Sequence, residues 1–197
     1  MASAKRVTVE LSLLSFAKPA AWSAWLAKHH ASAPGLWLKL GKKAAGVSSI
    51  TYAEALEVAL AWGWIDGIKK KHDEAWWLQK FTPRGARSVW SAINRDKALA
   101  LIASGAMKPS GLAEVERAKR DGRWKAAYEP QSRATVPEDL GAALAASPRA
   151  AAFFAALDSA NRYAVLYRIQ HAKKAETRAA RITRFVEMLA RGEKLHP

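Results

Sequence analysis

Residues 64–83 read WIDGIKKKHDEAWWLQKFTP, and this stretch decides the fold. Both of its ends are rich in aromatic and aliphatic residues, while Lys71-His72-Asp73-Glu74 in its middle is polar and suited to a turn. The pattern predicts two strands, 64–71 and 75–82, joined as a hairpin. Pro83 ends the second strand, because it has no amide to give to a ladder. Successive strand residues face opposite ways, so Trp76 and Trp77 fall on opposite faces. One is then core, and at most one is a platform for stacking.

Working outward, Leu36, Leu38 and Leu40 alternate with Trp37 and Lys39, which predicts a further short strand. Val7, Val9 and Leu11 alternate with Thr8, Glu10 and Ser12 and predict another at the start. Helical signals surround these strands. Residues 19–30 read as a helix with Pro19 in its first turn. Thr51-Tyr52-Ala53-Glu54 is a capping box that opens a helix to about Trp62, with Tyr52, Leu56, Ala59 and Leu60 facing inward and Gly63 as its stop. Asn94 is expected to cap a helix from Arg95 to Ser104, and Ser110 one to Asp121. Arg123 to Thr135 has weak periodicity, and about 126–135 is the candidate linker. Beyond it, helices are expected from Pro137-Glu138-Asp139, from Ser147-Pro148, from Ser159 as a cap, and from Ala175 to Arg191. The expected class is therefore α+β and predominantly α-helical. A small antiparallel β-sheet packs with helices in a Trp-rich domain over 1–125, and a helical segment over 136–197 follows it.

Composition narrows the function. The chain has 197 residues, enough for one domain or two small ones. It has no cysteine, which excludes disulfides, thiolate metal sites and cysteine nucleophiles. Lys and Arg number 32 against 17 Asp and Glu, a net charge of +15 that attracts polyanions. Two segments hold much of the excess: residues 69–97 have eight Lys/Arg against three Asp/Glu, and residues 161–197 have nine against three. No apolar run reaches the roughly 18 residues a membrane span needs. Glu10 and three serines interrupt the apolar start, so a signal peptide is not expected and a cytoplasmic location is. There is no G-x-S-x-G, Walker loop, G-x-G-x-x-G or H-E-x-x-H. The five histidines lack ligand spacing, so neither a metal nor a cofactor nor a catalytic residue is assigned.

Three clusters are candidates for binding. Asp66, close to Lys69 and Lys70, has the chemistry of a general base or of a partner that orients an arginine; it equally suits a turn cap or a pair with Arg84. Arg84, Arg87, Ser88, Trp90, Ser91 and Asn94 supply guanidinium forks, hydroxyls and an amide next to a helix start, which suits an anion. The same residues also suit a well-capped loop. In the last helix Lys174, Arg178 and Arg181 form a basic ridge beside the apolar stripe Ile182, Phe185, Val186 and Leu189. A solvated helix flank has the same spacing.

The runs Ala61-Trp62-Gly63-Trp64-Ile65-Asp66-Gly67, Phe81-Thr82-Pro83-Arg84, Ser88-Val89-Trp90-Ser91 with Asn94, and Gly122-Arg123-Trp124 resemble the YdeI/OmpD-associated family, also called bacteriocin-protection proteins. The ending Ala172-Lys173-Lys174-Ala175-Glu176-Thr177-Arg178-Ala179-Ala180-Arg181-Ile182 looks like that family's C-terminal helical signature, and Val136-Pro137-Glu138-Asp139-Leu140 like its start. The resemblance extends from about Phe16 to Gly192. It implies association with an outer-membrane porin and protection against bacteriocins, and it carries over no active site. Three functions follow as expectations. The first is a non-enzymatic, stress- or bacteriocin-tolerance-associated protein that binds an acidic or anionic partner on a basic surface. The second is a nucleic-acid-binding protein using that same surface. The third is an enzyme acting on a phosphorylated or anionic small molecule, with Asp66 as base and Arg84 and Ser91 as anion ligands.

Overall fold

The computed structural model of the chain describes residues 10–172 and 174–197. It is α+β, with a four-stranded sheet packed with helices and a helical C-terminal segment. The described residues form two compact units. The first runs to Trp90 and includes Asn94–Ala127; the second consists of Ser91–Ile93 and Tyr128–Pro197.

In the first unit the strands are β1 (Ser12–Leu14), β2 (Leu36–Gly41), β3 (Trp64–Lys71) and β4 (Trp76–Pro83), in the order β1-β2-β4-β3. The β3–β4 hairpin is antiparallel, as is β4 with β2. β1 joins β2 in parallel, so the sheet is mixed. Val7 and Val9, where an N-terminal strand is expected, lie outside the described residues, and β1 begins at Ser12. A bulge interrupts β3 between Asp66 and Lys69. It turns Ile68 off the face of Trp64 and Asp66 expected for a regular strand and leaves it 62% exposed. The buried Gln79 amide donates to the Gly67 and Ile68 carbonyls, at 2.8 and 3.4 Å, which serves acceptors the broken ladder leaves over.

Helices α1 (Pro19–His29) and α2 (Tyr52–Ala61) bury Trp22, Leu26, Leu56, Ala59 and Leu60 in one core with Leu36, Leu38, Leu40, Trp64 and Phe81. The capping box of α2 forms as expected: Glu54 N donates to Thr51 Oγ1 at 3.3 Å, and Thr51 N to Glu54 Oε2 at 2.8 Å. Tyr52 is not part of the inward stripe. It is 38% exposed, because its hydroxyl donates to Asp66 at 2.8 Å rather than burying. Gly63 ends α2 with a φ of 77°, a conformation that favours glycine.

Two expected caps move. Helix α3 (Ala92–Ala103) starts ahead of Asn94, which lies inside it. Helix α4 (Pro109–Arg120) is entered at Lys108, and the Ser110 hydroxyl donates to the Trp62 carbonyl at 3.0 Å instead of capping. In both cases a tertiary partner or an earlier start displaces the local signal.

The second unit packs α5 (Glu138–Ala145), α6 (Pro148–Ala156), α7 (Ser159–Gln170) and α8 (Ala175–Ala190) around Leu140, Leu144, Phe154, Val165, Ile169, Ile182, Phe185 and Leu189. Asp158, not Ser159, caps α7, accepting from Asn161 N at 2.8 Å. The Asn161 side chain is buried, and its oxygen accepts from His196 N at 2.8 Å, which pins the C-terminal end. Ser91 and Tyr128 form a bridge within this unit, and Ala92 N donates to the Tyr128 carbonyl at 2.8 Å. Among the described residues no helix is long and apolar enough to cross a membrane.

Candidate functional site

Arg84 follows β4 directly and is 5% exposed. Its guanidinium lies over the Trp90 ring, with Cζ 3.6 Å from the centroid, and its Nη1 donates to the Val89 carbonyl at 3.3 Å. Two arginines from beyond the loop join it. Arg117 of α4 donates to the Arg84 carbonyl at 3.1 Å, and Arg123 to the Ser88 carbonyl at 2.7 Å. Three guanidiniums therefore serve three carbonyls of residues 84–89, a segment with no ladder of its own. Ser88 Oγ accepts from Gly85 N at 3.0 Å and closes a turn that leaves Arg87 exposed. Glu114 pairs with Arg117. Burial pushes its carboxyl above the usual range, while Arg117, Arg84 and Arg123 pull it down. Trp90 is buried and meets the Trp124 ring edge-on at 4.8 Å. Here the fold uses Arg84, Ser88 and Trp90 to hold the loop.

Asp66 accepts from Tyr52 and Arg84 engages Val89 and Trp90, so the two are held by different partners. Lys69 is exposed on β3. Ser91 and Asn94 are half-buried around the start of α3.

In the second unit the basic ridge is engaged along part of its length. Lys174 is exposed at the start of α8. Arg178 binds Asp139 of α5 through two hydrogen bonds, at 2.6 and 2.8 Å, and donates to the Ile169 carbonyl at 3.1 Å. Arg181 donates to the Arg168 carbonyl. The Arg178 hydrogen bonds hold the Asp139 carboxyl below its ordinary value, against the opposing effect of burial and with help from the Leu140 amide. A lowered carboxylate stabilises the fold above its unfolded value of about 3.9 and loses that contribution as pH falls through the native value. Asp139→Asn is therefore expected to lower the urea midpoint at neutral pH. The gap from the parent protein should shrink below about pH 3.9. A gap that persisted unchanged in acid would mean that the pair contributes nothing.

A different surface collects lysines that lie beside tryptophan rings, and Lys39 there also helps to lower the Asp73 carboxyl of the hairpin turn. Side chains on β2 and β4 alternate, with Leu36, Leu38 and Leu40 and then Gln79 and Phe81 on the core face. Trp77 packs against the core as well. The opposite face carries Trp37 and Lys39 on β2, and Trp76, Leu78 and Lys80 on β4. Register sets them beside one another: Trp37 pairs with Lys80, Lys39 with Leu78, and Gly41 with Trp76. Lys70 of β3 is also opposite Leu78, and Leu13 of β1 is opposite Trp37. Lys70 Nζ lies 4.4 Å from the Trp37 ring centroid and Lys39 Nζ 4.9 Å from that of Trp76. Leu13 is 45% exposed, so this face opens to solvent at its β1 edge. Lys39, Lys70 and Lys80 make no ion pair among the described residues. From sequence, one of Trp76 and Trp77 is a candidate platform with Lys80 near it in the chain, but Trp37 and Lys39 are missed as its companions. The period-two alternation was the available signal; the register that unites the strands was not.

The described residues contain no group of three or more His, Asp or Glu able to hold a metal. What the fold and its surfaces define is an α+β protein with a solvent-facing, lysine- and tryptophan-bearing sheet and a separate helical unit. Residues 14–114 match a family described as a domain of unknown function (DUF8412), and the chain belongs to it. Residues 133–192 match the family described as bacteriocin-protection, YdeI or OmpD-associated, the one that the sequence motifs resemble. That match covers the helical signature, whereas the motifs from Ala61 to Arg84 and Ser88 to Asn94 fall within the other family's span. No curated protein and no solved structure matches the chain.

Proposed function

We propose that the chain is a non-enzymatic binding protein that holds an anionic partner on the outer sheet face of its first unit. The observation that carries this reading is the gathering of Lys39, Lys70 and Lys80 around Trp37 and Trp76 without an ion pair among the described residues. By contrast, Arg84 and Arg181 are bonded to backbone carbonyls, and Arg178 to a carbonyl and a carboxylate. The net charge of +15 adds long-range attraction to any polyanion. The different partners of Asp66 and Arg84 favour binding over catalysis by that pair. The family wording of the C-terminal match suggests the setting: a role in bacteriocin protection, with an OmpD-like porin among the candidate partners.

Inorganic polyphosphate is a suitable first probe, because it offers charge without bases. The full chain is expected to bind it at low salt and to release it as salt rises. Replacing the three lysines together (Lys39→Gln, Lys70→Gln, Lys80→Gln) is expected to weaken binding about tenfold, whereas Lys174→Gln leaves it near the parent value. If Lys174→Gln costs more than the triple replacement, the anion site is not on the sheet.

A further inference from the structure

The anionic partner has a further requirement written into the same face. We propose that the outer sheet face binds single-stranded nucleic acid, stacking bases on Trp37 and Trp76 while Lys39, Lys70 and Lys80 meet the phosphates. The proposal rests on the reading of this face as the anion-binding surface and adds the chemical class of the ligand.

The first argument is the choice of side chain. The sheet's inner face already has its core, built from Leu36, Leu38, Leu40, Phe81, Trp64 and Trp22. Trp37 and Trp76 add nothing to that core. On an outward sheet face a threonine or valine would satisfy strand propensity equally well. Two half-buried tryptophans there present flat π-surfaces, the feature that sequence-tolerant base stacking uses.

The second argument is orientation. An ammonium group 4.4 Å from the Trp37 centroid and another 4.9 Å from that of Trp76 sit over the ring faces. Each ammonium covers a ring face, so an approaching group must displace it. A base that takes the ring face displaces the ammonium sideways, next to where the phosphates attached to that base must run. Lysine stems are long enough for this movement without a backbone change.

Spacing and access agree with a strand rather than a duplex. Trp76 is opposite Gly41, four residues along β2 from Trp37. Four strand residues and one strand step place the two tryptophan backbone positions about 14 Å apart. Neighbouring stacked bases are only about 3.4 Å apart, so the two rings take bases that are not neighbours, with Leu78 between them. Bases inside a duplex already stack on one another and have no face to offer. Gly67 on β3 faces Lys80: a side chain there would begin 3.7 Å from Lys80 Cβ, and glycine leaves that space open. An acidic polypeptide fits less well. The five aromatic and basic residues named for this face include no arginine fork for a carboxylate, and carboxylates make no use of two aromatic planes.

The test compares a fluorescein-labelled oligothymidine of about 15 nucleotides with an abasic strand of equal phosphate count, a duplex of the same length, and polyglutamate. The full chain is expected to bind oligothymidine at least tenfold more tightly than the abasic strand. Trp37→Ala and Trp76→Ala are each expected to lose about tenfold for oligothymidine and little for the abasic strand, with Trp→Phe at either position recovering part of the loss. Both positions lie off the core, and far-UV circular dichroism checks that the variants remain folded. Equal affinity for the two strands, with both lost in the triple lysine replacement, would overturn base stacking and leave the anion site intact. Failure to bind any polyanion would remove both readings together. Tighter binding of the duplex or of polyglutamate than of oligothymidine would overturn the single-strand proposal and assign the face to that ligand.

Discussion

Trp22→Ala is expected to destabilise the first unit by about 3–5 kcal/mol, the cost of truncating a large buried aromatic and leaving a cavity. Trp22 is fully buried at 0% exposure and is the hub of an aromatic cluster. Its ring centroid lies 5.3 Å from Phe16, 5.5 Å from Trp25, 5.9 Å from Phe81 and 6.1 Å from Trp64. Those partners come from α1 itself, from the segment before it, and from β3 and β4, so one deletion loosens a helix and two strands together. The indole N–H also donates to the Ala55 carbonyl of α2 at 3.1 Å. Removing it leaves a buried acceptor without that donor, a cost of about 1 kcal/mol or more beyond the cavity. Trp22→Phe separates the two effects, since it keeps an aromatic ring and loses the N–H. Denaturant unfolding followed by near-ultraviolet circular dichroism measures both. A loss below about 1 kcal/mol for Trp22→Ala would mean that the aromatic cluster is not the keystone of this core.

Gly111→Ala is expected to destabilise by about 2 kcal/mol, although the same change at an exposed helix position gains up to about 1 kcal/mol. The sign reverses because α4 passes close to the end of α2. A Cβ on Gly111 would start 2.8 Å from the Ala61 carbonyl carbon and 2.5 Å from Met107 Sδ, and nearer still to the Ala61 oxygen. The methionine can swing away, but the carbonyl cannot: it is fixed backbone and accepts from Lys108 N at 3.0 Å. Relief therefore requires α4 to move. That movement strains the Ser110–Trp62 hydrogen bond and the approach of Gly63 to Ser110. Urea midpoints of the two proteins decide the matter, and an unchanged or raised midpoint would show that α4 has room to shift.

These two positions also show what could be read along the chain and what could not. The burial of a tryptophan in α1 follows from a Trp-dense sequence, and Trp22 was open to that reading. The requirement for glycine at 111 was not, because its reason is a carbonyl fifty residues earlier. The candidate site divides in the same way. Arg84, Ser88 and Trp90 are legible as a group because they are neighbours in sequence. Their use in fixing a loop depends on Arg117 and Arg123, which the loop sequence does not announce. Arg178 and Arg181 read as a ridge by helical spacing, but spacing says nothing of Asp139, 39 residues away, which binds Arg178.

The sequence alone determined the elements and the electrostatics of this protein. A period-two run placed β2, apolar runs on either side of a polar turn placed β3 and β4, the capping box placed α2, glycines marked helix ends, and the Lys/Arg excess set the sign of any partner. These signals act over one to four residues, the distance over which backbone hydrogen bonds and neighbouring side chains interact. The tertiary structure alone decided which residues share a surface. The register of β2 against β4 unites Trp37 and Lys39 with Trp76 and Lys80, and the bulge in β3 turns Ile68 outward. Tyr52 leaves the core for Asp66, and Ser110 leaves its cap for Trp62. Register depends on packing summed over a whole sheet face, and a slip of one residue would exchange the inner and outer sets. A sum of that kind has no local signature, so the face proposed to hold the nucleic acid exists only once the chain has folded.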